Sequence, residues 1–393
     1  MARPVPANVN PHLLAWARQE GGFTADAAAK RAAVSVSRLE QWERGEAKPT
    51  VRQALKLSAL YRRPFGLFLL AEPPVEQPLA AEYRRLPGVR PGGGSPEFRL
   101  AIRTMVQRRE LALELGDGAF REFTLSARLS ERPEAVGERI RSAFSVTVEV
   151  QAAWKDEWVA WREWRSAVEA LGVLVFQFPS VELAEARGVA LPHFPLPAVG
   201  INSKESAPGA RIFTLMHELV HLALSRAHEE DVALRERRTE AQWVEVERFA
   251  EEVASHVLIP ATALSAALGP STERPEWNVA TVRALARRFR VTPRAMATRL
   301  RAAGLMTWNE YREWIAEWDT LVAAMPARKG GFATPVEKTI GRAGRPLTQL
   351  VLEALDSNRI TAVDASRYLN LRFDHFETLR AELGHFSSSE SAE

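Results

Sequence analysis

Apolar residues recur every three or four positions along most of this chain, the spacing of helices that bury one stripe. Continuous apolar runs of five or six residues, the mark of buried strands, are few. Leu13, Leu14 and Trp16 open the first helical stretch. Thr24 supplies an N-cap for a second over 25–31. Val34-Ser35-Val36-Ser37 reads as a turn and fresh N-cap leading into a third over 36–44, stopped by Gly45. Pro49-Thr50 opens a fourth through Leu60, with Leu55 and Leu57 towards the core. Two short helices separated by a turn of three or four residues are the helix-turn-helix pattern.

Pro73-Pro74 closes this unit, and the stretch 92–96 (GGGSP) reads as a flexible connector. A long helix over 97–115 follows. Another over 152–172 carries Trp154, Trp158, Trp161 and Val168 at helical spacing, an aromatic stripe for the core. Residues 173–178 (VLVFQF) and 197–202 (PAVGIN) read as strands. Helices are expected from about 214, over 242–258 with Pro260 as the stop, over 282–289 and 294–303 around a Val291-Thr292-Pro293 turn, and over 308–318. Residues 326–346, rich in Gly, Pro and Arg, read as a linker. A small helical unit over 347–383 precedes a disordered polar tail. The fold class is therefore α+β and mostly helical, with a small sheet between helical regions.

The most informative chemistry is His217-Glu218-Leu219-Val220-His221, inside the apolar run FTLMHELVHLAL. Residues four apart share one helical face, so both imidazoles reach one metal ion, and Glu218 stands beside them to take a proton from metal-bound water. This H-E-x-x-H pattern points to zinc-dependent peptide hydrolysis. A surface helix with two solvated histidines is the plain alternative. Leu215, Met216, Leu219, Val220, Leu222 and Leu224 argue against it, because they bury the helix nearly all round and leave the polar groups in need of partners. Catalytic zinc ordinarily has three protein ligands. The extended pattern with a third His fails, since Leu224 and Ala227 hold the Gly and His places and His228 is one residue out of register. The downstream segment ERFAEEVA offers Glu247 as third ligand, and Glu251, one turn on, as a group to orient a ligand His. Ala250 and Ala254 on that face let the two helices approach. His193 and His228 are candidates for stabilising the oxyanion. The strand ending at Ile201-Asn202 offers an edge to an extended peptide.

Charge adds a second partner. The net charge of +3 is modest, but residues 1–74 hold eleven Lys and Arg against six Asp and Glu, which points to nucleic acid at that end. The chain has no Cys, which excludes disulfides and thiolate metal sites and suits a reducing cytoplasm. No apolar run has the length of a membrane span, so neither a signal peptide nor a membrane role is expected.

HELVH preceded by VGIN and followed by ERFAEEVASHVLIP resembles the ImmA/IrrE metallopeptidases, and the likeness covers most of residues 60–310. It implies a thermolysin-like zinc peptidase domain with His217, His221 and Glu247 as ligands and Glu218 as the catalytic acid–base. Zn2+ is the implied cofactor, with Mn2+ as the alternative. Glu251 stands where that family usually has Asn, and Val253 where it has Phe. Several members cleave a repressor protein in stress or mobile-element responses, so a repressor is the implied substrate. The segment AAAKRAAVSVSRLEQWERGEAKPTVRQALKL resembles XRE-type helix-turn-helix domains, with Ala33 replacing the Gly often found in the turn. This implies double-stranded DNA as a partner. Val36, Ser37, Arg38 and Gln41 would face the major groove, and Lys30, Arg31, Arg44 and Lys48 the phosphates. A homodimer is compatible with both resemblances.

The expected domains are a DNA-binding domain over 1–74, a helical connector over 75–125, the peptidase domain over 126–268, a helix-turn-helix-like subdomain over 269–325 and a C-terminal unit over 326–393. The competing reading is a DNA-binding regulator, or an antitoxin, whose peptidase fold is a sensor or dimerisation body without turnover.

Overall fold

The computed structural model describes residues 5–74, 82–83, 94–118, 120–228, 239–269, 276–324 and 333–387. Most of the first part of the connector expected over 75–125, the first part of the linker expected at 326–346, and all but the start of the polar tail lie outside these residues. The molecule is α+β and mostly helical. It divides into two compact units, residues 1–80, 85–104 and 180–185 in the smaller and 81–84, 105–179 and 186–393 in the larger.

In the smaller unit, α1 (Pro11–Glu20), α2 (Ala25–Ala32), α3 (Val36–Glu43) and α4 (Val51–Tyr61) enclose one core of Leu13, Leu14, Ala28, Leu39, Trp42, Leu57 and Phe68. Each begins at a side-chain cap. Asn10, Thr24, Ser35 and Thr50 accept from backbone N–H groups of the first turn, and Thr50 and Gln53 form a reciprocal capping box. Ala33 closes α2 in the left-handed conformation (φ 59°), the place where glycine would be strain-free. Leu57 is core, as its position implies, but Leu55 is 49% exposed. Residues two apart on a helix point to different faces, so the two cannot share the core.

The long helix α5 (Pro96–Gly116) is divided between the units. The larger unit continues with α6 (Pro133–Phe144), α7 (Val148–Ala153) and α8 (Glu157–Glu169). The helix expected from 152 thus starts only at 157. Asp156 caps it by accepting from the N–H groups of Trp158 and Val159, which turns Trp158 outward, 47% exposed, beneath the Arg211 guanidinium. The buried stripe is Trp161, Trp164 and Val168. Gly172 then turns the chain into the sheet. Its φ is +83°, and an added Cβ would collide with the carbonyl of Arg121, so only glycine fits.

The sheet holds β1 (Glu82–Tyr83), β2 (Leu174–Phe178), β3 (Gly188–Leu191) and β4 (Ala198–Asn202) in the order β1-β3-β4-β2. Strand β4 pairs parallel with β2 and antiparallel with β3, so it is interior. The peptide edge expected at Ile201-Asn202 is therefore taken by β3. That strand, GVAL, is four residues long, too short to register as a period in the sequence.

The sheet lies against α9 (Pro208–Arg226), which also packs on α8 and on α10 (Glu240–Leu258). The start of α9 is tied down by buried polar groups. Asn202 donates from Nδ2 to the Ala186 carbonyl and accepts from the Lys204 N–H, and Arg211 donates to the carbonyls of Glu205 and Ser203. The end of α10 is tied down similarly. Its last carbonyls at Val257, Leu258 and Ile259 accept from Arg141, Gln151 and Arg299.

Helices α11 (Ala261–Leu268), α12 (Val279–Arg288), α13 (Pro293–Ala302) and α14 (Trp308–Ala324) complete this core. The linker expected at 326–346 is corrected by α15 (Pro335–Ala343). It begins at a Thr334–Glu337 capping box, buries Val336, Thr339 and Ala343, and packs on β2. Its Gly, Pro and Arg content hid a short helical period. Helices α16 (Arg345–Asp356), α17 (Ala362–Leu369) and α18 (Phe376–Ser387) end the chain around Leu347, Val351, Leu369, Phe376 and Leu379. Among the described residues, no helix is long and apolar enough to cross a membrane.

Candidate metal centre and nucleic-acid face

Helix α9 is buried on every side from Thr214 to Ser225, and His217 and Glu218 are inaccessible to solvent. The apolar run of the sequence is the cause, since each turn offers Leu, Met or Val to a different neighbour. His217 and His221 leave the helix one turn apart, with ring centroids 4.7 Å apart and planes inclined at 68°. Their Nε2 atoms face each other at 2.9 Å. From α10, Glu247 brings Oε2 to 3.3 Å from His217 Nε2 and Oε1 to 3.6 Å from His221 Nε2. Ala250 and Ala254, both fully buried, let α10 come this close.

The spacing fits a metal ion. Four donors held tetrahedrally at zinc bond lengths of roughly 2.0–2.1 Å stand about 3.3 Å from one another. The separation of 2.9 Å between the imidazoles, and those of 3.3 and 3.6 Å from them to the two different oxygens of Glu247, bracket that value. Two imidazoles and one carboxylate also have the composition of a three-ligand hydrolytic site, and the carboxylate's negative charge favours a cation between them. Glu247 is the member reached by solvent, with its side chain 19% exposed.

The other sequence candidates fall at stated places. Glu218 points from α9 towards β3, where an added Cβ on Gly188 would lie 2.7 Å from its Oε1. Glu251 is half-buried one turn beyond Glu247, while Glu245 is exposed. His193 lies in the loop between β3 and β4, its carbonyl accepting from Arg109. His228 is exposed beyond the end of α9 in a left-handed conformation. Gly188 was not visible as a functional residue. Its only sequence signal is a glycine within a short apolar run, the mark of a close backbone approach.

In the smaller unit, α2 and α3 with the turn between them have the helix-turn-helix arrangement. Ser37 and Arg38 are exposed near the N-terminus of α3, and Arg38 Nη1 donates to Gln41 Oε1 over 3.2 Å. Val36 is half-buried against the core rather than fully presented. Of the basic residues, Lys30 is exposed, and Lys48 donates to Asn8 Oδ1. Arg31 pairs with Glu97 at 3.2 Å, and Arg44 pairs with Glu46 at 2.7 Å and Glu40 at 3.6 Å. All these pairs are exposed and therefore weak and exchangeable.

Residues 168–301 match the family model described as the IrrE N-terminal-like domain, a peptidase family. Residues 14–68 match the model described as Helix-turn-helix. No curated protein matches the chain. Both resemblances read from the sequence are borne out, the peptidase one over residues 168–301 of the 60–310 expected: the chain joins a segment similar to helix-turn-helix domains to one similar to a peptidase family. The match over residues 168–301 spans α9 and α10, so the three converging side chains belong to the peptidase-like domain.

Proposed function

We propose that this chain is a metal-dependent endopeptidase with a DNA-binding domain, acting in the cytoplasm on a protein substrate, most simply a transcriptional repressor. The observation that carries the reading is the convergence of His217, His221 and Glu247, from two helices, with one ligand atom of each within 4.8 Å of the others. The match of residues 168–301 to a peptidase family supports it independently. Zn2+ or Mn2+ held by His217, His221 and Glu247 would supply Lewis acidity towards a peptide carbonyl and towards water. Glu218 would accept the proton of the attacking water and return it to the leaving amine. Glu251 orients a ligand imidazole. Arg38, Gln41 and Ser37 read base edges, while Lys30, Lys48, Arg31 and Arg44 contact phosphates, the two arginines after release from their exposed ion pairs.

The test joins metal analysis to cleavage. The purified chain is expected to carry about one ion per chain. With zinc or manganese, and with and without duplex DNA, it is expected to cut one of the repressor proteins encoded beside its own gene. Glu218→Gln should keep the metal and abolish cutting. Undiminished cutting by that variant would sink the mechanism.

The excess of positive charge in residues 1–74 favours a second reading, a DNA-binding regulator or antitoxin whose peptidase-type domain senses or dimerises without turnover. Specific operator binding without cleavage under every metal and DNA condition would select it.

A further inference from the structure

We propose that Gly188 is a positioning residue for Glu218: by carrying no side chain, it lets the carboxylate rest against the backbone of β3 and so fixes the acid relative to the metal ligands. The proposal rests on the metal-peptidase reading above and adds to it the residue that sets the place of the base.

A Cβ on residue 188 would lie 2.5 Å from Thr214 Cγ2, 2.7 Å from Glu218 Oε1 and 2.8 Å from Glu218 Cγ. Any other residue forces at least one of these groups to move. Backbone conformation does not demand glycine here, because the φ of Gly188 lies outside the left-handed region. A glycine also weakens a strand. The close approach to α9 is therefore the reason for its presence.

Thr214 and Glu218 are four residues apart and share the face of α9 that meets β3. His217 and His221 share the next face, which meets Glu247. The glycine thus constrains the acid and leaves the ligands alone. Glu218 has three rotatable side-chain bonds, and a general base misplaced by about 1 Å loses on the order of a hundredfold in rate. Contact with a strand backbone removes that freedom more firmly than another flexible side chain would.

The experiment uses the full chain and cobalt(II) as probe, in a Thr214→Ser background that removes the Cγ2 contact. Gly188→Ala, Glu218→Ala and the double variant are compared by cobalt stoichiometry, visible absorption and thermal midpoint. Gly188→Ala is expected to keep one ion per chain and to alter the d–d bands, which report the surroundings of the solvent ligand. It should also lower the midpoint by about 3 °C or more. Adding Glu218→Ala, which removes both Cγ and the carboxylate, is expected to return most of that loss. In the repressor-cutting assay, Gly188→Ala should lower kcat about a hundredfold with KM unchanged.

Unaltered d–d bands, or a penalty for Gly188→Ala that is the same with glutamate and with alanine at 218, would overturn the proposal while the bound cobalt leaves the metal site standing. A wild-type chain that takes up no cobalt, with the 188–218 coupling intact, would instead overturn the metal-peptidase reading and the positioning role that rests on it.

Discussion

Glu247 Oε2 stands 3.3 Å from His217 Nε2, although the two residues belong to different helices. The approach depends on what flanks it. Ala250 and Ala254 keep α10 close to α9, and the last turn of α10 is held by Arg141, Gln151 and Arg299 from three other helices or their flanks. The site is therefore assembled by the core of the larger unit, and its properties follow from that assembly.

Metal should stabilise the fold. An ion that binds only the folded state at a free concentration of about a hundred times its Kd adds roughly 2.7 kcal/mol. The urea or thermal midpoint should rise on adding zinc, fall on adding a chelator, and respond to neither in His221→Ala. Glu247→Gln keeps a neutral oxygen donor but loses the charge, so its midpoint should rise only at higher zinc. An equal response from His221→Ala would place the ion elsewhere.

The end of α10 should be costly to uncap. Gln151 Nε2 donates to the carbonyl of Leu258 at 3.1 Å and to that of Phe289 at 2.6 Å, and Gln151 is 1% exposed. Gln151→Leu preserves much of the volume and leaves both carbonyls without that donor, at a cost of roughly 2 kcal/mol. Arg299→Met should cost a similar amount through the carbonyl of Ile259. Chemical denaturation of the chelator-treated protein measures both without the contribution of metal. A loss below about 0.5 kcal/mol in each would show that the helix end relaxes to find other donors.

Acid sensitivity should have a component from His256. Burial, reinforced by the positive charge of Arg299 and opposed by Glu134, lowers its pKa to about 4. Between the ordinary value near 6.5 and about 4, the unfolded chain binds a proton that the folded chain refuses. Stability should therefore fall as pH drops through that window, and this group should contribute no slope above it. His256→Gln should flatten the dependence between pH 6.5 and 4 in urea titrations of the metal-free protein. The same slope with and without the imidazole would refute the assignment.

How legible all this was in the sequence depended on pattern length. HELVH sits in an apolar run of twelve residues, so its helix, its burial and its chemistry could all be read together. Glu247 followed because Ala250 and Ala254 mark a close helix contact on the same face. Short or composite elements were hidden. The strand GVAL is four residues, and its pairing with β4 is what moved the free edge away from Ile201-Asn202. The linker expected around 335–343 is a helix because Thr334-Pro335 and Glu337 cap it and Val336 and Ala343 are buried, a signal outweighed by the glycines and arginines around it. Trp158 shows the opposite failure: its spacing matched the stripe, but the cap at Asp156 set the start of the helix and so its rotation. Caps and partner strands decide such cases, and neither has a long period.

The nucleic-acid face should separate base reading from phosphate contact. Arg38 is exposed beside the N-terminus of α3, within hydrogen-bond reach of Gln41, and its guanidinium suits the paired acceptors of guanine. Arg38→Ala should therefore weaken binding to the preferred duplex by about 1–3 kcal/mol and relax the preference at one position. Among the described residues Lys48 donates to the neutral Asn8 side chain and is in no ion pair, so its charge remains available to a phosphate. Lys48→Ala should weaken all duplexes alike and reduce the slope of log affinity against log salt by about 1. Arg44 already faces Glu40 and Glu46, so Arg44→Ala should change the slope less than Lys48→Ala. Fluorescence anisotropy on a duplex selected from random sequence, repeated over a salt series, measures all three. If Arg38→Ala and Lys48→Ala produce the same uniform loss, α3 does not read bases, and the smaller unit binds DNA by charge alone.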